Sequence, residues 1–179
     1  MESNVILCLT FMVFLGSAGV SAGAEPVKGA CLLGTIHSHS AVCGQCSDTY
    51  ESGNYETALY EWEPLAKSGN AFAQFNLGQI YLRGQGVPLN YKEAVKWYRM
   101  AAEQEHTGAQ YYLGLMYEKG EGVFQDYVYA HMWFDIANSH GVVMATGAMK
   151  EIAENMTVAQ INRAQYLARE CVAREYKEC

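Results

Sequence analysis

The densest set of reactive side chains is the stretch HSHSAVCGQC, which places His37, His39, Cys43 and Cys46 within ten residues. Imidazoles and thiolates are zinc-ligand types, and a Cys-x-x-Cys pair can do redox work. A zinc ribbon needs two such pairs at set spacing, and the chain has one. A redox pair belongs at a helix start that follows a strand, and no alternating strand pattern precedes Cys43. The simpler expectation is a structural disulfide between two of Cys31, Cys43 and Cys46. Hydrolytic chemistry finds no frame either: Ser-x-x-Lys and His-Glu-x-x-His are missing from the sequence, and its Gly-x-Ser-x-Gly match, GVSAG at Gly19 to Gly23, lies in a run of small residues rather than between a strand and a helix. The only aspartates are Asp48, Asp126 and Asp135, so no acid/base cluster stands out. His106, His131 and His140 fall at helix ends or on a helix face, where solvated or capping roles are expected. The sequence therefore predicts no catalytic residue and no metal site.

Half of the 179 residues are apolar and the formal charge is −7, with no Lys/Arg block. That length supports one domain with a sizeable core, and that charge argues against nucleic acid or an anionic membrane as partner. The run VILCLTFMVFL from Val5 to Leu15, followed by small residues and AGA at Ala22 to Ala24, is the apolar segment and cleavage pattern of a secretory signal peptide. The Met1–Asn4 stretch departs from that pattern in carrying Glu2 and no basic residue. The run is about half of what a membrane span needs, so no span is expected after cleavage. A mature chain starting at Glu25, with 18 acidic residues against 12 basic, would be periplasmic or secreted. It keeps five cysteines, an odd count that leaves one unpaired within the chain.

A repeat dictates how the rest is built. AQFNLGQIYLRGQGV from Ala73 to Val87 returns 36 positions later as AQYYLGLMYEKGEGV from Ala109 to Val123. Twelve identities fall at that offset, from Ala73/Ala109 to Ala101/Ala137. Ala73, Leu77 and Tyr81 recur every four residues, as do Ala94 and Tyr98, so each unit reads as two helices with one apolar stripe apiece. Gly84 and Gly86, like Gly120 and Gly122, end the first helix, where a left-handed backbone is needed. Gly86 and Gly122 are expected to resist Ala by about 1 kcal/mol of backbone strain. Small residues at Gly78, Ala94 and Ala101 let helices approach, and Tyr81, Trp97 and Tyr98 fill the space between them. A helix pair with one apolar face must stack on neighbours, which predicts an all-α solenoid.

The pattern decays outward. Tyr55, Ala58, Trp62 and Leu65 mark the second helix of an earlier unit, whose first helix is expected near Ala41 to Ser52. Ala145 and Met149 mark a fourth first helix, and Thr157 with Gln160 has capping-box spacing before a last one. The expected organisation is a signal peptide over 1–24 and a poorly ordered segment over 25–49. A degenerate first unit follows over 50–68, then full units over 69–104 and 105–140, and capping helices over 141–179.

AxAQxxLGxxYxxGxGV followed by YxxAxxWYxxAA resembles the Sel-one-like repeat family, a branch of the tetratricopeptide-like α-solenoids, over roughly 50–173. The ending MTVAQINRAQYLAREC is similar to the terminal helix of exported bacterial members. Departures lie before Tyr50 and at Asn138 to Gly141, where the linker reads NSHG. The resemblance implies a right-handed α-α superhelix, a non-catalytic scaffold, no cofactor, and an unidentified protein or peptide partner held along a concave groove lined by the first helices. It assigns Phe72, Phe75, Gln79, Leu82 and Arg83 of one unit and Tyr111, Leu115, Glu118 and Lys119 of the next to that groove. Phe75, Tyr111 and Leu115 are expected to stand exposed unless a partner, a neighbouring helix or the 25–49 segment covers them. Cysteine-rich exported members also imply a Cys171–Cys179 bond, with seven residues between the cysteines. One continuous helix would hold the two about 12 Å apart, too far for a bond, so the helix must stop between them. A cell-wall or β-lactam-directed hydrolase, an activity attributed to such relatives, is the alternative that the resemblance carries.

Overall fold

The computed structural model describes residues 50–179. The leader, the start at Glu25 and the HSHSAVCGQC segment lie outside them. So does most of the expected helix near Ala41 to Ser52, of which Tyr50 and Glu51 are helical. Seven helices follow: α1 Tyr55–Lys67, α2 Ala71–Arg83, α3 Tyr91–Ala102, α4 Thr107–Lys119, α5 Tyr127–Ser139, α6 Val143–Ala153 and α7 Val158–Ala173. No strand occurs among the described residues. In chain order, α2 and α4 are first helices of the two full units, and α3 and α5 are their second helices.

Local chemistry repeats with the same 36-residue step. Asn54, Asn90 and Asp126 each accept a backbone N–H in the first turn of a second helix. Asn70 and His106 do this for the first helices α2 and α4, satisfying donors that a helix start leaves open. Burial lowers the His106 pKa, which keeps the ring neutral and Nδ1 free to accept. At Val142, one step further on, no side-chain cap remains. Thr157 and Gln160 form a complete capping box on α7. Gly84 and Gly120 end α2 and α4 in the left-handed conformation.

The stripe residues Ala73, Leu77, Ala94, Tyr98 and Ala101 are fully buried, as is Trp62, and Trp97 and Trp133 are buried beside them. Two contacts set the spacing within units. A Cβ placed on Gly78 would lie 2.4 Å from Cε1 of Tyr98, and one on Gly114 would lie 2.4 Å from Cε1 of Phe134. Each ring therefore presses against a glycine of the partner helix, where a side chain would leave no room. Between units, the Cβ of Tyr55 lies against Gly86 and the carbonyl of Tyr91 against Gly122.

The last unit differs from the others. Helices α6 and α7 both pack on α5 and touch each other only weakly, where α2 with α3 and α4 with α5 form tight pairs. Helix α7 ends at Ala173, and the chain turns back so that Cys179 meets Cys171 with Cα atoms 5.5 Å apart. Tyr176 is buried in this return. Cys179→Ser is expected to cost about 2–3 kcal/mol, the loop-closure value for a short ring. Thermal melts with and without reductant check it: the unaltered protein should lose several degrees on reduction and the variant none, whereas two identical unaltered melts would mean that no bond forms.

Glu105 supplies a second expectation. It sits at φ 63° just beyond α3, where the flanking units place Gly69 and Gly141 at φ 99° and 89°. Side chains are disfavoured in that region. Glu105→Gly should raise stability by about 1 kcal/mol, visible as a higher Tm; a lower Tm would show that the Glu105 side chain contributes more than its backbone costs.

Candidate functional site

The first helices α2 and α4 lie in neighbouring units, and a layer of rings fills the space between and beneath them. Phe75 stacks on His106 at 4.5 Å between centroids and meets Tyr98 at 5.9 Å and Tyr112 at 5.8 Å. Tyr98 stacks on Tyr112 at 5.4 Å, Tyr112 meets Tyr111 edge-on at 5.9 Å, and Tyr111 reaches Phe134 at 5.5 Å. Such ring contacts add to the energy of burial and fix geometry. At the position equivalent to Phe75 and Tyr111, the next unit has Gly147, with nothing around its Cβ. Along the row of first helices, the ring layer therefore ends at α4.

This layer corrects the expected exposure of the groove residues. Phe75, Tyr111 and Leu115 are half-buried and packed against the core, because the face of α2 that carries Phe75 abuts Gly108 and His106 at the start of α4. Gln79 is buried, with both amide atoms unpaired. Leu82 is half-buried as well. Phe72, Arg83 and Lys119 remain open, Phe72 at 37% exposure. Arg83 donates to the Tyr50 hydroxyl at 3.2 Å. Glu118 is part-buried, and its pKa is raised by loss of solvent first and by the Glu151 carboxylate second.

Beside the rings runs a polar chain that the sequence reading missed. Gln74 donates to the Ala66 carbonyl at 3.0 Å and accepts from Gln104 at 2.7 Å. One unit on, Gln110 donates to the Ala102 carbonyl, and His140 stands where Gln104 stood, 3.0 Å from the Gln110 amide oxygen. With its proton on Nδ1, His140 donates to Gln110 and accepts at Nε2 from the Tyr176 hydroxyl at 3.1 Å. The NSHG departure thus keeps the contact while changing the residue. The available signal was positional, since 104, 140 and 176 are spaced by 36. These bonds satisfy Gln74 and Gln110 inside the core, where an unpaired amide is costly. His131, expected to be solvated or capping, is buried on α5, and burial lowers its pKa.

No group of three His, Cys, Asp or Glu side chains able to hold a metal comes together among the described residues. No described helix is long and apolar enough to cross a membrane.

The Sel1 repeat family model matches residues 71–106 and 107–142, two consecutive units of 36. Residues 71–142 are therefore two consecutive Sel1 repeats. Among solved structures, c5321, a protective antigen of uropathogenic Escherichia coli strains with an SLR fold, is 30% identical with a TM-score of 0.70 over 75% of this chain. A Sel1 repeat protein from Oxalobacter formigenes is 34% identical with a TM-score of 0.57 over 60% of this chain. The present chain spans 30% and 44% of the lengths of those two proteins. No curated protein matches it. The helices are thus an α-solenoid of Sel1 repeats, an architecture typically used as a non-enzymatic scaffold for protein–protein interaction.

Proposed function

We propose that this Sel1-repeat protein is an exported, non-catalytic scaffold that binds a protein or peptide partner along the face formed by α2 and α4. The observation that carries the reading is the arrangement of Phe72, Arg83 and Lys119, left open above a rigid layer of rings. Arg83 and Lys119 hold the same position in consecutive units, and neither forms an ion pair among the described residues. Phe72 opens α2 and Arg83 closes it, about 16 Å away along the axis, so an exposed aromatic and two cations without an ion pair among the described residues bracket this face, and aromatic and Arg residues are types that anchor interfaces. Leu82, Leu115 and Glu118 would form the half-buried floor. The Cys171–Cys179 contact supports export, since disulfides persist in oxidising compartments. The hydrolase and metal alternatives draw no support from any described cluster.

The triple variant Phe72→Ala, Arg83→Ala, Lys119→Ala should lose at least tenfold in affinity for a partner captured from periplasmic extract by the mature protein, with Tm unchanged within a few degrees. Phe75→Ala should behave differently and lower Tm, because its ring packs on His106, Tyr98 and Tyr112. A partner held equally by the triple variant would refute the α2/α4 face. N-terminal sequencing of the native protein should read from Glu25; an intact Met1 chain in the cytosol would refute export.

A further inference from the structure

The repeat serves as its own control, because a position that differs between equivalent sites is one that the scaffold does not dictate. At the seam between the two full units, a cleft of about 720 Å³ opens between α3, the 120–126 turn and the start of α5. Its frame is common to both units: Tyr117, Gly120, Gly122 and Val123 match Tyr81, Gly84, Gly86 and Val87. Its working surface is not. Lys92 and Arg99 stand where the 50–68 unit has Glu56 and Glu63, and Phe124 and Tyr129 stand where the 69–104 unit has Pro88 and Glu93. Two acids have become two bases, and two rings have been added.

Neither base is neutralised by a described carboxylate. Glu63 pairs with Lys67 and Glu93 with Lys96, but Lys92 and Arg99 form no ion pair among the described residues. The one carboxylate of the cleft lining, Asp126, is occupied as the cap of α5, accepting from Val128 at 2.8 Å and Tyr129 at 3.2 Å. Arg99 is held over the Tyr117 ring, its guanidinium carbon 6.0 Å from the centroid, and donates to the Tyr117 hydroxyl. Tyr117 stacks on Tyr129 at 5.2 Å, and Phe124 at the rim is 97% exposed. In a protein of net charge −7, this is a local positive patch with an aromatic floor.

We propose that the cleft is a second binding site, separate from the α2/α4 face, for an extended acidic peptide segment carrying an aromatic side chain. Lys92 and Arg99 are seven residues apart on one helix, hence about 10 Å apart along its axis. Carboxylates three residues apart on a chain in the polyproline-II form share one side of it and have nearly the same spacing, at about 3.1 Å per residue. Those carboxylates meet the two cations, and a ring between them lies against Tyr129 and Phe124. The volume falls within the range of ligand sites.

Titrating isotope-labelled protein with acetyl-Glu-Ser-Phe-Glu-amide tests this by amide chemical shifts. Saturable shifts are expected at Gly120, Phe124 and Tyr129, with an apparent affinity that weakens as salt is added. Lys92→Glu with Arg99→Glu should weaken binding at least tenfold, and so should replacing both glutamates of the probe by glutamine. Both altered residues are exposed, and an unchanged melt establishes that the variant folds; Phe124→Ser, altering only the rim, should weaken binding independently. The proposal is overturned by an absence of saturable shifts up to about 10 mM probe, well above the millimolar Kd of a weak site. Equal affinity for the glutamine probe, or shifts confined to Phe72 and Arg83, also overturn it. So do tighter binding of a single-stranded oligonucleotide and self-association that the Lys92→Glu, Arg99→Glu variant abolishes.

Discussion

Gly114→Ala is expected to destabilise the protein by about 2–3 kcal/mol and to lower its Tm by about 5–10 °C. The added methyl would lie 2.4 Å from Cε1, 2.5 Å from Cδ1 and 3.0 Å from Cγ of Phe134. Phe134 is fully buried and braced by Tyr111, so the ring cannot swing away. Either α4 and α5 move apart or the ring leaves its rotamer, and overpacking of this kind costs more than the gain of about 1 kcal/mol that Ala brings to a helix interior. Phe134→Leu in the same background should recover part of the loss by removing Cε1, the nearest of the clashing atoms, and by replacing a rigid ring edge with a branched chain that can turn, although alone it should destabilise. Circular dichroism melts of the four proteins in this cycle check the coupling. Additive losses, or a Gly114→Ala protein that melts like the unaltered one, would show that the ring has room to shift.

Gly122→Ala is expected to cost about 2–4 kcal/mol, clearly more than Gly86→Ala. Both glycines have positive φ, 75° and 71°, which accounts for the strain of about 1 kcal/mol expected from sequence. What lies opposite each Cβ differs. At Gly86 the nearest atom is the Tyr55 Cβ at 2.9 Å, whereas at Gly122 it is the Tyr91 carbonyl oxygen at 2.4 Å, with its carbon at 2.6 Å. A backbone carbonyl at a helix start cannot rotate out of the way, so the turn must detach from α3. The expectation that strain alone sets the cost is therefore corrected. Urea denaturation of the two variants should place Gly122→Ala at the lower midpoint; the reverse order would mean that the turn yields more easily than α3 does.

The twelve identities made the helix pairs, the turns and the core stripe legible, because those features require particular residue types: Gly for a positive φ, Ala for close approach, Tyr and Trp for the space between. Where different residues do one job, the pattern was silent. Asn70 and His106 cap equivalent helices with an amide and an imidazole, and Gln104 and His140 fill the same place in the polar chain. The half-burial of Phe75 and Tyr111 was also hidden. It depends on how closely α2 approaches α4 sideways, which periodicity along either helix does not encode. The packing of α7 on α5 rather than on α6 was out of reach for the same reason.

The way the units meet bears on how such a chain changes length. Gly86 lies on Tyr55 and Gly122 on Tyr91, so the seam before each full unit is made by the same pair of positions. The ring-on-glycine contacts, Tyr98 on Gly78 and Phe134 on Gly114, are closed inside single units. A duplication or deletion of one 36-residue block would thus carry its internal contacts whole and present a matching edge on both sides, with no new interior to repack. Length in this architecture is a quantity that recombination can alter in whole steps, and charge reversals such as Glu56 to Lys92 would let each added copy take up its own binding task.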